Sequence, residues 1–387
     1  MALPISYNIR NLRERWQVTF LAVLGISLVV AVLVVLLAMV AGVRLALRST
    51  GIPQNAIVVQ RGSASELTSW VPLDQRNLIV VDSRVARGKD GQPLASPEIV
   101  VVGSKPRRTD GMPTNVTIRG VSPKAFEVRG GIEIVRGRNF TPGLYEVIVG
   151  ERIAERIQGL DLGAKITVQR KEWDIVGIFR SQGGGFESEI WGDIDAMGPA
   201  FQRTGGSNSL VVRMADPAAI PDFDRTIRAD PQMQLQAVQE RKYYEDQAGP
   251  VAAGLTGLTT FVAIVMGIGA VFGAMNTMYA IVAARTREIG TLRALGFSRR
   301  SVLFSFVIES VFLALLGGVI GVLMALPANN LGGATGVGFA ELAFAFKITP
   351  QAIAVGLAFA AVMGLIGGLL PAARAARLPI TSALRAA

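Results

Sequence analysis

Four long stretches of the chain are almost uniformly apolar, and they dominate its hydrophobic pattern. They cover residues 18–43, 250–284, 301–326 and 350–371, and Glu309 is the only charged residue inside any of them. About 20 helical residues, each rising about 1.5 Å, cross a hydrocarbon core about 30 Å thick. Soluble helices seldom stay apolar on every side for this length, so the pattern predicts four transmembrane helices. The first is predicted to be an uncleaved anchor because its apolar run exceeds that of a signal peptide.

A more polar segment, residues 44–249, separates the first two spans and is long enough for one folded domain or two small ones. Helices are predicted at 151–157, at 217–229, and from about Gln239 into the second span. Runs rich in β-branched residues predict strands at 57–59, 78–81, 99–102, 116–121, 147–149, 166–168, 173–179 and 210–213. The predicted fold class is an α-helical membrane protein with four transmembrane helices and an α/β extracytoplasmic domain inserted between helices 1 and 2.

The inserted segment also contains three consecutive glycines, 183–185, followed by Glu187, Glu189, Asp193 and Asp195. No phosphate-binding G-x-x-x-x-G-K-[ST] motif occurs in the sequence. Alternating carboxylates are ligands that Ca²⁺ accepts, but we interpret this stretch as a flexible loop followed by a solvated acidic face. Three tryptophans of the segment are predicted to lie in the core: Trp70, Trp173 and Trp191.

Composition narrows the function and orients the chain. The absence of Cys and His excludes disulfides, thiol nucleophiles, Cys/His zinc sites and a His general base. The formal charge is +10, but residues 44–249 hold 27 Lys+Arg against 25 Asp+Glu, so nucleic acid is not implied. The tails (1–17 and 372–387) and the 285–300 loop together hold 11 Lys+Arg, whereas the 327–349 loop holds only Lys347. The positive-inside rule therefore predicts that both termini and the 285–300 loop are cytoplasmic, although Arg44 and Arg48 count against it.

A short amphipathic helix is predicted in the 285–300 loop. Ile289, Leu292 and Leu295 recur at three-residue spacing and form one apolar stripe. Gly296 is suited to end this helix, and Ser298 is suited to cap the third span. Spacing alone leaves two interpretations open: a connecting loop with topology-setting arginines, or a helix that docks on a cytoplasmic partner.

The spans themselves contain few polar or small-residue features. Asn276 and Glu309 are the intramembrane polar residues of interest. Glu309 could contact a proton or a substrate, but we favour a hydrogen bond between helices. Glycine pairs at four-residue spacing predict close helix packing, either within the chain or in a dimer: Gly269 and Gly273, Gly317 and Gly321, Gly364 and Gly368.

Several motifs, in order along the chain, resemble one family. The stretch EIGTLRALGF (288–297) resembles the coupling-loop signature of the MacB/FtsX-type (type VII) ABC transporter permeases, and MNTM (275–278) fits the same domain. The regions 309–321 and 371–385 are similar to the rest of that domain. The inserted segment resembles the periplasmic domain of the MacB group through the fragments IRGVSPKAF (118–126), RGRNF (136–140), VIVG (147–150), LGAKI (162–166) and VGIF (176–179).

The resemblance implies a dimeric permease with two ATPase subunits on its cytoplasmic face, whose ATP-driven closure moves the periplasmic domains. This chain has no Walker A motif and only 17 residues before the first span, so the ATPase is expected to be a separate polypeptide. Glu288 and the Ile289/Leu292 stripe are expected to transmit the motion. The resemblance assigns ATPase docking to Arg285, Thr286, Arg287, Glu288, Ile289, Gly290, Leu292, Arg293, Leu295 and Gly296.

The predicted function is therefore the non-catalytic membrane subunit of a MacB-like exporter of hydrophobic or peptide-like cargo in the inner membrane. The alternatives are FtsX-like mechanotransmission to an external partner and a membrane-anchored receptor or scaffold without ATP coupling. No cofactor or metal is expected on this chain, and ATP and Mg belong to the ATPase. The expected partners are that ATPase, a second permease copy or paralogue, membrane lipids and, outside, a periplasmic adaptor with an outer-membrane channel.

Overall fold

The computed structural model describes residues 16–337 and 340–379, so most of the two predicted tails lies outside the described residues. The chain divides into two compact units. The membrane unit comprises Met1–Ala41, Gly254–Leu331 and Phe346–Ala387. The inserted domain comprises Gly42–Ala253 and Gly332–Ala345. The long segment between the first two spans thus folds as one domain, and it includes a short piece of chain from between the last two spans.

Four helices of the described chain are long and apolar enough to cross a membrane, as predicted. Helix α7 begins at Glu240 and continues without interruption to Ala284, which confirms the prediction of one helix from about Gln239 into the second span. The helices of the described chain are α1 (Trp16–Arg48), α2 (Leu73–Val80), α3 (Ala125–Arg129), α4 (Glu151–Arg156), α5 (Ile194–Ala200), α6 (Ile220–Ala229), α7 (Glu240–Ala284), α8 (Thr286–Ala294), α9 (Arg299–Ala325) and α10 (Pro350–Arg377).

The sequence predicted that the fourth span ends at Pro371, and this boundary is wrong. Helix α10 continues through this proline to Arg377. A proline inside a helix removes one backbone hydrogen bond. Here Ala372 and Ala375 are fully buried against α7 and α9, and this close packing outweighs that local cost.

The inserted domain is built on one large, mostly antiparallel sheet. Its strand order is β12-β1-β11-β3-β4-β9-β6-β8-β5, with β7 also paired to β8; the pairs β4–β9 and β6–β8 are parallel. The described strands are β1 (Asn55–Gln60), β2 (Val71–Pro72), β3 (Ala95–Pro106), β4 (Pro113–Val121), β5 (Glu133–Gly137), β6 (Glu146–Gly150), β7 (Lys165–Val168), β8 (Lys171–Arg180), β9 (Glu189–Asp193), β10 (Gly206–Ser207), β11 (Ser209–Arg213), β12 (Leu235–Gln239), β13 (Gly332–Val337) and β14 (Ala340–Ala345).

Most of the predicted strands lie in this sheet, and its core contains the expected aromatics. Trp173 and Trp191 are fully buried, whereas Trp70 is half-buried. The predicted strand at 78–81 is wrong, because these residues end helix α2. Pro72 precedes that helix and Asp74 lies in its first turn, which are favourable residues for a helix start. Within the apolar run, Ile79 and Val80 pack against the core, whereas Leu78 and Val81 are exposed.

The acidic stretch after the three glycines is not a solvated face, which corrects the interpretation given above. Glu187, Glu189 and Asp193 are buried, and only Asp195 is exposed. The Glu187 carboxylate accepts hydrogen bonds from the backbone N–H groups of Ser181 (2.9 Å) and Gly183 (2.7 Å). The glycine turn is therefore held by this carboxylate, and the acidic residues belong to the interior of the domain.

Candidate functional site

The 285–300 loop contains the predicted short helix. Helix α8 begins at Thr286, and the chain leaves it at Gly296, whose φ of +96° suits glycine. The side chain of Ser298 then accepts a hydrogen bond from the N–H of Ser301 (3.2 Å) and caps α9. The two sequence-based boundaries of this helix–turn–helix segment are thus confirmed.

The apolar stripe of α8 is divided between the interior of the chain and its surface. Ile289 is 2% exposed and packs with residues of α7, α9 and α10, whereas Leu295 is 72% exposed. Leu292 is half-buried. The expectation that the Ile289/Leu292 stripe points toward a partner therefore needs correction, since burying Ile289 is what holds α8 on its own membrane unit. The exposed face of α8 and its end consists of Arg287, Glu288, Thr291, Ala294 and Leu295.

An ion pair joins the end of α7 to α9. Arg285 Nη1 donates a hydrogen bond to Glu309 Oε2 at 2.9 Å, and the two side chains are 9% and 1% exposed. The guanidinium also lies over the ring of Phe306, 6.0 Å from its centroid. This geometry supports the interhelical hydrogen bond that we favoured for Glu309, and it gives Arg285 a structural partner within the chain.

A second arginine fixes the other end of α8. Arg293 Nη1 donates to the backbone carbonyl of Ala376 in α10 at 2.7 Å. Together with the Arg285–Glu309 pair and the buried Ile289, this bond attaches α8 to the ends of three membrane helices. Helix α8 is therefore in direct contact with α7, α9 and α10.

The three glycine pairs have two different surroundings. A Cβ added at Gly321 would lie 2.5 Å from the carbonyl oxygen of Ser27 in α1, and Gly317 faces the same helix. Gly364 and Gly368 face α9 equally closely, where Ser310 Oγ donates to the carbonyl of Gly364 at 2.8 Å. These two pairs serve packing within the chain.

The third pair lies on an open groove. Cβ atoms added at Gly269 and Gly273 would meet no atom within 4 Å. The two glycines line a groove between α1 and α7, and the exposed side chain of Asn276 lines it too. Among the described residues, this pair of glycines therefore makes no close helix contact and leaves the groove open.

The inserted domain contains a buried ionic cluster that sequence reasoning missed, and we call it the ionic junction. Arg119 donates to Glu189 through Nε (2.7 Å) and Nη2 (2.8 Å). Its Nη1 donates to Glu66 and Glu98, both at 2.8 Å. All members of the junction are less than 10% exposed: Glu66, Glu98, Arg119, Arg129, Glu189 and Glu240.

Glu240, the first residue of α7, connects this junction to the helix that becomes the second span. Its carboxylate pairs with Arg129 Nη1 through one oxygen. The other oxygen accepts hydrogen bonds from Asn55 Nδ2 (2.8 Å) and from the backbone N–H of Ile52 (3.1 Å). Ile52 and Asn55 follow α1, and Asn55 begins β1. The Glu240 carboxylate therefore joins the start of α7 to the segment after the first span and to the sheet.

Glu66 and Arg119 stabilise each other's charge within the junction. Burial alone would raise the pKa of Glu66, but Arg119, Arg129 and Ser209 together outweigh burial and lower it. Burial would likewise lower the pKa of Arg119, yet the charges of Glu189 and Glu66 hold it well above its usual range. The junction therefore requires ionised Glu66, and acid should weaken it.

Comparison with known proteins identifies the family. Residues 19–230 match the family model of the MacB-like periplasmic core domain, which is more than half of the chain. Residues 260–380 match that of the FtsX-like permease C-terminal domain. This chain belongs to the MacB/FtsX-type ABC transporter permeases. It is thus a multi-pass membrane protein whose inserted domain is of the MacB type.

Individual relatives of this permease are distant. It is 29% identical to the uncharacterized ABC transporter permease YknZ of Bacillus subtilis over 70% of each chain. It is also 29% identical to the macrolide export ATP-binding/permease protein MacB of Brucella abortus, over 57% of this chain and 34% of that protein. A crystal structure of the extracellular domain of YknZ from Gram-positive bacteria aligns with 48% of this chain and 99% of that chain, at 17% identity and a TM-score of 0.36.

The sequence of the permease contains a weak sign of the ionic junction. Along β4 the apolar Val116 and Ile118 alternate with Thr117 and Arg119, so Arg119 lies on the opposite face of the strand. In β3, Glu98 directly precedes an apolar run. A charged residue within a buried strand indicates a buried partner of opposite charge. Spacing does not identify that partner, because Arg119 and Glu189 are 70 residues apart in the sequence.

Removing one partner of the Arg285–Glu309 pair should destabilise the membrane unit. Glu309→Ala leaves the Arg285 charge buried without a partner, and breaking a buried pair costs about 3–5 kcal/mol. We expect a lower midpoint in thermal unfolding of the detergent-purified chain. The double variant Arg285→Met/Glu309→Met should recover most of the loss, and equal loss in both variants would contradict the pairing.

Acid should weaken the contribution of Glu66 to the stability of the folded inserted domain. A lowered pKa in the folded state means that its stabilisation is present above the ordinary value of 4.5 and is lost as the pH falls through the folded pKa. Glu66→Gln should therefore cost about 1.5–3 kcal/mol near pH 7 and less near pH 4. Thermal unfolding of the full chain across this range measures it.

Glu172→Gln is the control, because this side chain is 69% exposed. Its cost should stay within about 0.5 kcal/mol at every pH. A Glu66→Gln cost that does not change with pH would contradict the ionised state of Glu66.

Proposed function

We propose that this permease couples ATP hydrolysis by a separate ATPase subunit to movement of its inserted domain, for export of a hydrophobic or peptide-like cargo. The observation that carries the proposal is the attachment of α8. Its exposed face is available to a partner, while Arg285, Ile289 and Arg293 bind its other side to three membrane helices. A push on α8 therefore becomes a movement of those helices.

The ATPase belongs on the side of the 285–300 loop, which we assign to the cytoplasm together with both termini. The arginine-rich composition of this loop, against the single Lys347 between the last two spans, supports that orientation. The exposed face offers Arg287 and Glu288 as polar contacts beside Leu295 as an apolar anchor. A mixed surface of this kind is typical of a protein interface.

That the ATPase is a separate subunit is part of this proposal, and the lack of a phosphate-binding loop in these 387 residues supports it. ATP and Mg are then bound by that subunit. We further propose that two permease chains associate in the membrane, with the groove at Gly269 and Gly273 as the seat of the second chain. The open space beside these glycines supports close approach of another helix.

The names of the relatives and the type of the inserted domain support a hydrophobic or peptide-like cargo. Proteins similar to this chain are named macrolide and pyoverdine exporters, and the MacB-type domain accounts for more than half of the chain. An exporter of this kind would act with a periplasmic adaptor and an outer-membrane channel. FtsX-like mechanotransmission is the second candidate, favoured by the uninterrupted helix α7 that runs from the ionic junction to the membrane unit.

Purification of the intact complex separates these functions. The full chain, tagged and extracted from native membranes in mild detergent, should retain an ABC ATPase whose hydrolysis rate it stimulates. A receptor or scaffold without ATP coupling would bring down no ATPase. Export and mechanotransmission then differ in the other companions, a channel and small-molecule cargo in the first case and an external enzyme in the second.

The exposed end of α8 should be required for this stimulation. Leu295→Asp places a charge at an apolar anchor, and loss of a central contact typically costs 2 kcal/mol or more, so we expect stimulation to fall by about thirtyfold. Thermal stability should stay unchanged because Leu295 is 72% exposed.

Leu144→Asp is the matched control, since Leu144 is also exposed but lies in the inserted domain. Ile289 is unsuitable for this test, because a charge there would disrupt the packing of α8 itself. If the Leu295→Asp variant stimulates ATP hydrolysis fully, the exposed face of α8 is not the docking site.

A further inference from the structure

The predicted short loop between the last two spans contains a β-hairpin that belongs to the inserted domain. Strands β13 and β14 pair antiparallel, and β14 packs on the domain. The N–H of Ala343 donates to Ser188 Oγ at 2.9 Å. Leu342, Ala343 and Phe344 are each no more than 6% exposed. The hairpin is therefore docked through its backbone and its apolar side chains.

Glu341 adds an ion pair to this docking. Arg156 of α4 donates to Glu341 Oε1 through Nη2 (2.8 Å) and Nε (3.2 Å). The hydroxyl of Thr114 in β4 donates to the other oxygen of the same carboxylate. A single hairpin side chain thus binds two separate elements of the domain, which fixes the register of the hairpin on it.

Helix α1 passes close to the hairpin at Gly42. A Cβ built on Gly42 would overlap the backbone carbonyl of Ala345 and would lie 3.0 Å from a ring carbon of Phe344. Glycine is required here because a backbone carbonyl cannot move aside as a flexible side chain can. By contrast, the other glycine of α1, Gly25, has no atom within 4 Å of such a Cβ.

We propose that the hairpin is a further mechanical attachment of the inserted domain, which stays docked during turnover and transmits the movement of α9 and α10 to the domain. The order of elements supports this: α9 ends at Ala325, the hairpin strands lie at Gly332–Val337 and Ala340–Ala345, and α10 begins at Pro350. Since α8 is bonded to α7, α9 and α10, a push on α8 reaches the domain by two routes, α7 and the hairpin. The proposal rests on the proposed ATPase coupling.

Gly42→Ala tests it with Gly25→Ala as the matched control in the same helix. In the full chain in nanodiscs, hydrogen exchange should show protected hairpin amides, that of Ala343 above all. Gly42→Ala should accelerate exchange in the hairpin by about tenfold or more, because undocking exposes these amides. Gly25→Ala should leave it unchanged. Hairpin amides of the unmodified chain that exchange like a free peptide would overturn the docking.

The second readout is the ATPase activity of the co-purified complex. With the ATPase still bound, Gly42→Ala should lower stimulated hydrolysis by about fivefold or more, within the usual range of coupling between sites. Undocking by Gly42→Ala without any loss of stimulation would overturn the hairpin's role. Absence of an ATPase from the unmodified complex would instead overturn the proposed function, and the coupling role with it, while the exchange data still decide the docking.

A charge exchange gives an independent variant should Gly42→Ala fail to fold. Glu341→Arg places a cation beside Arg156 and should accelerate hairpin exchange and lower stimulation. Adding Arg156→Glu restores an ion pair of opposite polarity and should recover both. If the double variant still shows fast hairpin exchange and low stimulation, the ion pair between Glu341 and Arg156 does not hold the hairpin.

Discussion

The carboxylate of Glu240 is the contact on which the connection between the inserted domain and its helices depends. It binds Arg129 on one side and Asn55 and the Ile52 N–H on the other. Burying charged groups costs several kcal/mol each, so an apolar joint would be as stable or more stable. What the ionic joint adds is direction: each N–H donor accepts only a narrow range of positions for the oxygen it binds. The start of α7 is thereby held at a defined position against Ile52, Asn55 and Arg129.

The same helix meets a second ion pair at its other end. Arg285 directly follows α7 and pairs with the buried Glu309, and α8 begins at the next residue. Helix α7 is thus held by charge at both ends, once in the ionic junction of the inserted domain and once beside α8. This arrangement suits a part that carries movement, because hydrogen-bonded ends transmit both pushing and pulling.

The sequence predicted those features that follow from local pattern. The four spans are uniformly apolar, and the strands around Trp173 and Leu210 are rich in β-branched residues, so both were found. Features set by distant partners were missed. Nothing near Glu189 indicates that Arg119 neutralises it, and Ile289 carries no sign of whether it faces a partner or its own chain. The hairpin was missed for another reason: β13, GGATGV, is rich in glycine and poor in β-branched residues, so its pairing depends on the domain it packs against.

Between its two charged ends, α7 is the least packed of the four membrane helices. In its most apolar 18-residue window 17% of residues are buried, against 33–39% in the other three. Close contacts of Gly317, Gly321, Gly364 and Gly368 join α1, α9 and α10, whereas Gly269 and Gly273 of α7 face open space. Without a hydrophobic driving force in lipid, such close contacts are what holds membrane helices together. Helix α7 is therefore less buried along its apolar window than the other three, although Gly367 of α10 approaches its Val271 and Ala274 closely, and it is paired by charge at both ends. We infer that α7 is the helix whose position shifts most easily when α8 is displaced, and that a second chain packed in its groove would set how far it can move.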